Sequence, residues 1–223
     1  YYREPPMTLR LFAHPLSSYC WKVLIPLYEA GTPFTFEMLE FGAAEGPIVE
    51  FMQRWPIGKM PLLRDGARNG TVVESSIIIE YLDRHYPGAG LIPADPDTAL
   101  TARFMDRFFD NYVMTPQGRL VFEVIRPEGA KDPFGVAEAR TLLDKAYSWL
   151  EATLSDGRTW AAGEAYSLAD VSASPSLFYA QRCHPWGDRP ALQAYYDRLE
   201  TRPSFQRVIA EAQPYIHMFP GGP

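Results

Sequence analysis

Ser17-Ser18-Tyr19-Cys20 falls where an alternating stretch, Thr8–Ala13, gives way to a helical one, Tyr19–Ala30. The first amides of a helix lack intrahelical acceptors and the dipole there is positive, so an anion, a thiolate included, is stabilised. A thiol so placed ionises well below its free value of about 8.5. Two readings stand side by side. Ser17 or Ser18 is only the helix N-cap, or its hydroxyl donates a hydrogen bond to a thiolate supplied by another molecule. Cys20 is either a mixed-disulfide residue or a packed helix cysteine. Met60-Pro61 enters a strand straight from a loop, a natural place for a cis peptide bond. Glu74-Ser75-Ser76 opens a helix after a hairpin, with Ser75 or its neighbour expected as the cap. Beyond capping, the free amides and a hydroxyl there suit a ligand carboxylate while Glu74 suits its ammonium, the pairing an α-amino-acid end group requires. Other chemistry is missing from the sequence: there is no Gly-rich phosphate or dinucleotide loop and no CxxC. His14, His85, His184 and His217 have no metal-ligand spacing, so no metal is expected. Asn69-Gly70-Thr71, formally a glycosylation acceptor, reads as turn chemistry.

These residues must be positioned by a small mixed domain. Thr8–Ala13 and Thr32–Leu39 alternate as strands, and Tyr19–Ala30 between them is helical, with Gly31 as its stop and Pro26 as a bend. Gly42–Trp55 is a partly helical connection. Gly58–Gly66 and Asn69–Val73 form a hairpin with a long loop, and Ser75–His85 is a closing helix. Strand, helix, strand, hairpin and helix make an α/β unit. Tyr86–Asp97 (YPGAGLIPADPD) is a linker by composition. Helical spacing follows in Thr98–Val113, Val136–Leu154, Ser167–Gln181, Ala191–Leu199 and Ser204–Ala212. The expected division is 7–86 for the first domain, 87–97 for the linker and 98–223 for an all-helical domain. Met7 is the first possible initiator, with residues 1–6 an upstream extension or an appended remnant.

A length of 223 residues with 47% hydrophobic and 22% charged residues fits one large or two small globular domains, and the linker favours two. The net charge of −6 is spread evenly and forms no basic stripe, so nucleic acid is not an expected partner. No apolar run approaches the roughly 20 residues of a membrane helix, and no signal-peptide pattern opens the chain. Two widely separated cysteines fit a reducing, cytoplasmic setting.

Four segments, in order and at matching spacing, resemble the cytosolic glutathione transferases, over about Met7 to Ala212. LSSYCWKVLIPLYEAG (Leu16–Gly31) is similar to the family's first strand–helix junction, especially in the serine-type zeta and tau classes and their bacterial-like relatives. WPIGKMPLL (Trp55–Leu63) resembles its cis-proline stretch, VVESSIIIEYLD (Val72–Asp83) its γ-glutamyl-binding segment, and GEAYSLADVSAS (Gly163–Ser174) its helical-domain capping box. The resemblance implies a thioredoxin-like domain, where Ser17-x-x-Cys20 stands in place of CxxC, followed by an all-α domain. It implies glutathione as cosubstrate, a homodimer and a role in detoxification.

Residue by residue, the resemblance gives Ser17 the hydrogen bond to the glutathione sulfur, with Ser18 as the fallback. Met60, held by Pro61, would exchange backbone hydrogen bonds with the cysteinyl part; Lys59 lies toward the glycine end; Glu74 and Ser75 anchor the γ-glutamyl group. Several classes hold the glycine carboxylate with a basic residue between Phe41 and Gln53. None occurs here, which leaves Lys59 or Arg54. Ser167 and Asp170 form a helix-start device, with Tyr166 as a hydrophobic staple. A hydrophobic electrophile would meet Phe104, Phe108, Tyr112 and Met114, with Tyr19 opposite. The four-residue spacing of Leu100, Phe104, Phe108 and Tyr112 equally suits a buried core stripe. The activity implied is conjugation of the glutathione thiolate to that electrophile. The alternatives are a glutathione-dependent isomerase or dehalogenase on the same fold, or a non-catalytic glutathione-binding protein.

Overall fold

A computed structural model describes residues 8–40 and 42–220; the expectations for Met7 and residues 1–6 lie outside them. The chain divides into two compact units, 1–90 and 91–223. The first contains strands β1 (Leu9–Ala13), β2 (Thr35–Met38), β3 (Leu62–Asp65) and β4 (Gly70–Val73). Its helices are α1 (Ser18–Ala30), α2 (Pro47–Arg54) and α3 (Ser75–His85). The sheet order is β2-β1-β3-β4, with β1 parallel to β2 and antiparallel to β3, and β3 antiparallel to β4. This is a thioredoxin-like arrangement.

The alternation of β1 assigns its faces. Leu9, Leu11 and Ala13 point one way and Phe12 the other, and all four are buried. Phe12 packs with Leu39, Leu62 and Phe51 of α2, while Met60 and Trp55 lie against the same cluster. α1 packs against α3, burying Val23, Leu24, Leu27, Ile78 and Ile79. α1 ends at Gly31, whose φ of 61° is open to glycine at little cost; the amides of Gly31 and Thr32 close on Tyr28 and Leu27 carbonyls.

The hairpin is fastened to α3 through Asp65. Its Oδ2 accepts both the Tyr81 and Tyr86 hydroxyls at 2.7 Å, and its Oδ1 accepts the amides of Ala67 (2.9 Å) and Arg68 (3.3 Å). Burial alone would raise the Asp65 carboxyl, but these four donors outweigh it and hold it below the usual carboxylate range. Tyr81, half-buried beside that charge, is pushed up to about 12.

The second unit is helical: α4 (Pro96–Phe108), α5 (Thr115–Ile125), α6 (Pro133–Leu154), α7 (Leu168–Cys183), α8 (Pro190–Glu200) and α9 (Pro203–Ala212). α4 starts two residues ahead of the stretch read as helical, because Asp95 caps it by accepting the Thr98 amide at 2.8 Å. The expected single helix to Val113 instead passes through a π-helical turn, Phe109–Met114, before α5. Pro116 has no N–H for the Tyr112 carbonyl, and the Thr115 hydroxyl bonds back to the Asp110 carbonyl at 2.9 Å, which accounts for the wide turn.

The core reading of the four-residue stripe holds at Phe108, which is buried, and is overturned at its other three positions. Leu100, Phe104 and Tyr112 are 66%, 48% and 46% exposed, whereas Ala99, Ala102, Met105, Phe109 and Val113 are buried. A strict i, i+4 row drifts around a 3.6-residue helix, while spacings of three and four keep to one face. The core face therefore carries Ala99, Ala102, Met105, Phe108 and Phe109, while Leu100, Phe104 and Tyr112 turn away from it.

α7 opens with the expected capping box: the Asp170 carboxylate accepts the Ser167 amide at 2.8 Å, and the Ser167 hydroxyl accepts the Ala169 amide at 3.3 Å. Asp170 also accepts the Ala161 amide and the Tyr195 hydroxyl. Tyr166 lies edge-on to Trp160 and under Arg202.

Candidate functional site

The strand register gathers the candidate segments of the first unit. Phe12 pairs with Leu62, and Leu62 pairs with Val73. The β1–α1 junction, the loop entering β3 and the β4–α3 junction therefore lie at the same end of the strands. At about 4.8 Å between strands, they lie side by side over roughly 10 Å.

His14 shapes the first junction. Its Nδ1 accepts the Leu16 amide at 3.1 Å and its carbonyl accepts the Ser17 amide at 3.0 Å, while the Trp21 indole N–H donates to the Pro15 carbonyl. Burial lowers the His14 pKa, which favours the neutral ring that this acceptor role needs. The sequence offered His14 only as an isolated histidine; its place two residues before an amide at a strand end was the available signal.

Ser17 is the N-cap of α1. Its Oγ accepts the Cys20 amide at 3.4 Å, and the hydroxyl retains a proton to donate. Ser18 is the first helical residue and half-buried, as is Tyr19. Cys20 is wholly buried, and burial pushes its thiol up to about 12 despite the opposing hydrogen bonds with Ser17 and the His14 backbone. Of the two readings of Cys20, the packed helix cysteine is the one realised. A thiolate stabilised at this helix start has to come from outside the chain.

The Met60–Pro61 peptide is cis. Pro61 is buried and Met60 half-buried, and no backbone hydrogen bond of Met60 forms among the described residues. Its N–H and C=O are thus available to an added extended peptide, the way a strand edge recruits one. Lys59 beside it is exposed. Arg54 is committed to Glu50 at 2.8 Å. The buried indole N–H of Trp55 has no acceptor among the described residues, a donor to which the sequence reading gave no role.

At the third junction the expected cap is corrected. Glu74, not Ser75, occupies the N-cap position, and it makes no side-chain capping bond. Its backbone φ is 67°, a conformation that costs a non-glycine residue of order 1–3 kcal/mol. β4 ends at Val73 and α3 begins at Ser75, so the whole turn falls on Glu74, whose carboxylate stays exposed. Ser75 begins the helix, buried, with no side-chain partner among the described residues. Lys22, fully buried on α1, donates to the Ser76 hydroxyl at 3.2 Å and so ties the start of α3 to α1. Sequence reading took Lys22 for part of a helix pattern and gave it no role.

In the second unit Phe108 stacks on Trp149 at 4.4 Å between centroids and meets Tyr112 at 5.4 Å, with Phe104 edge-on to Trp149. Met114 is buried. Among the described residues no cluster of His, Cys, Asp and Glu is fit to hold a metal, and no helix is long and apolar enough to cross a membrane.

Comparison with known proteins agrees with this geometry. A family model described as glutathione S-transferase, N-terminal domain, matches residues 7–84, and one for the C-terminal domain of the same enzymes matches residues 133–198. Glutathione S-transferase F6 of Arabidopsis thaliana is 27% identical over 210 residues, covering 90% of this chain and 99% of the relative. FtsZ-localized protein A of Caulobacter vibrioides is 29% identical, covering 90% of each. A glutathione S-transferase from Methylobacterium radiotolerans, solved in complex with glutathione sulfonate, is 30% identical with a TM-score of 0.77, covering 90% of this chain and 93% of that one. With both halves matched in order, the chain belongs to the glutathione S-transferase family.

Proposed function

We propose that this glutathione transferase is of the serine type, conjugating glutathione to a hydrophobic electrophile with Ser17 holding the sulfur. The observation that carries the reading is the one end of the strands shared by the Ser17, Met60–Pro61 and Glu74–Ser75 junctions. The γ-glutamyl carboxylate is taken by the Ser75 hydroxyl and the first amides of α3, and its ammonium by Glu74. The cysteinyl backbone pairs with Met60, and Lys59 attracts the glycine carboxylate. Bound so, the thiol loses its proton to solvent, and the thiolate accepts the Ser17 O–H at the positive end of α1. The sulfur then forms a C–S bond at an electrophilic carbon. The leaving group departs with its electron pair, or a proton completes addition across a double bond. Positioning of the two reactants supplies much of the acceleration.

For the electrophile we assign Phe104, Phe108 and Tyr112, and Ser18 is the fallback for Ser17 at the sulfur. Phe104 on α4 and Tyr112 on the π-helical turn, both exposed, support an apolar partner. Leu100, 66% exposed on that helix, supports burial in a homodimer. The two free cysteines agree with a cytoplasmic role in detoxification. The test is turnover of an activated aryl halide with glutathione, read as loss of the free thiol and release of halide. Isomerisation would instead regenerate glutathione, and dehalogenation would release halide without a lasting conjugate. One relative is named for localisation with FtsZ and not for a transferase activity, which favours keeping a binding-protein reading as the second. Glutathione binding without turnover across an electrophile panel would select it.

A further inference from the structure

The chain turns from β1 into α1 through His14-Pro15-Leu16, and the backbone groups of that turn need partners where water is shut out. Pro15 is buried and has no N–H to satisfy. The next two amides both go to His14: Leu16 donates to its Nδ1 at 3.1 Å and Ser17 to its carbonyl at 3.0 Å. The Pro15 carbonyl accepts the indole N–H of Trp21, a side chain with no exposed surface. On the helix side, the Ser17 carbonyl accepts the Cys20 and Trp21 amides at 3.0 and 3.1 Å.

Ser17 is thereby held from both sides, while its side chain has one long capping contact, 3.4 Å from the Cys20 amide. A hydroxyl on a fixed backbone keeps its O–H within a narrow cone, which is what a donor aimed at one external atom needs. On the strand side that hold runs through a side-chain acceptor, the imidazole of His14, itself 2% exposed. Nδ1 accepts only in the neutral tautomer that carries its proton on Nε2. It stands as many bonds from the backbone as the Oδ1 of asparagine, a residue that closes the same ring onto an amide two positions on.

We propose that His14 is a positioning residue for the reaction: by holding the Leu16 amide, its Nδ1 sets the direction of the Ser17 hydroxyl toward the sulfur. The inference rests on Ser17 holding the sulfur, and it gives His14 neither a contact with glutathione nor a proton to transfer. Without the acceptor, the Leu16 amide has to turn toward water, and that rotation passes to the adjoining Ser17. The Cys20 and Trp21 amides keep the Ser17 carbonyl, so α1 persists with its first hydroxyl re-aimed. The cost falls on sulfur ionisation and kcat. Glutathione affinity is spared, because Met60, Glu74 and Ser75 lie on other segments.

The test compares His14→Asn with His14→Gln in the full chain. Asparagine keeps an acceptor where Nδ1 was, whereas glutamine carries its oxygen out to the place of Nε2 and leaves the Leu16 amide unserved. In His14→Gln the thiol pKa of bound glutathione, read by ultraviolet titration, should rise by at least about 0.5 toward its free value. Its kcat should fall at least about fivefold with the glutathione KM within about twofold. His14→Asn should restore both most of the way. Exchange of the Leu16 amide, followed by NMR without glutathione, should be fast in His14→Gln and slow in wild type and His14→Asn. Rescue by glutamine rather than asparagine overturns the assignment. Should His14→Gln not fold, His14→Asn decides: a retained thiol pKa and kcat uphold it, and their loss in a folded chain overturns it. A wild type that leaves the bound thiol unacidified refutes the Ser17 reading and this role with it. An acidified thiol indifferent to both substitutions refutes the His14 role alone.

Discussion

Replacing Asp65 by asparagine tests the link between the hairpin and the helix that carries Glu74 and Ser75. The carboxylate is 0% exposed and accepts four hydrogen bonds, two from phenols and two from amides. Hydrogen bonds to a charged group contribute about 1.5–3 kcal/mol each, against about 1 for neutral pairs. Asparagine keeps the oxygen that faces the amides but turns an NH2 group toward Tyr81 and Tyr86. Both phenol protons lose their acceptor, and the expected loss is about 2–4 kcal/mol. Asp65→Ala, which leaves all four donors unpaired, should cost about 3–5 kcal/mol, as breaking a buried charged network does. At roughly 2–4 °C per kcal/mol for a chain of this size, D65N should melt about 4–16 °C lower.

The pH dependence has a definite sign. The native pKa of Asp65 lies below its ordinary value of about 3.9, so its stabilisation is complete above about pH 5 and is lost as pH falls through the lowered native pKa. Urea denaturation of wild type and D65N from pH 7 down to pH 3 should therefore show a gap that closes on acidification. A gap under about 0.5 kcal/mol at pH 7, or one that widens as pH falls, refutes the reasoning.

Further outcomes follow from the site and its supports. Glu74→Gln and Ser75→Ala should each raise the KM for glutathione about tenfold with kcat little changed, because both act on binding remote from the reacting sulfur; steady-state kinetics with glutathione varied reads this. Cys20→Ala should retain kcat within about twofold, and native Cys20 should resist thiol reagents at pH 8, since its thiol is held at about 12; mass spectrometry after alkylation checks the second point. Ser167→Ala should lower unfolding stability by about 1–2 kcal/mol by removing the cap of α7, with glutathione KM unmoved.

The first unit was readable in the sequence because each element carries a local signal. Gly31 stops α1, Pro61 follows a loop, and Leu9, Leu11 and Phe12 supply the alternation of β1. The three junctions were readable for the same reason: helix starts announce themselves through Ser, Glu and the break in periodicity before them. What escaped reading depends on long-range placement. Nothing local says that Glu74, rather than Ser75, caps α3, since the choice is made by how β4 turns into the helix. Nothing local says that Lys22 reaches Ser76, 54 residues away. The aromatic stripe of α4 misled for a different reason. The four-residue spacing suggested a core face, whereas only Phe108 of that row is buried, beside Ala99, Ala102 and Met105.

The central claim is that the Ser17 hydroxyl holds the glutathione sulfur as a thiolate, and ultraviolet titration of thiolate absorbance in the binary complex measures it directly. The account predicts that the bound thiol ionises at least one pH unit below its free value of about 8.5, a stabilisation of about 1.4 kcal/mol or more. In Ser17→Ala the pKa should return most of the way, with kcat falling at least tenfold, while the loss of the cap costs only about 1 kcal/mol of stability. An unchanged thiol pKa and unchanged turnover in Ser17→Ala would contradict the account.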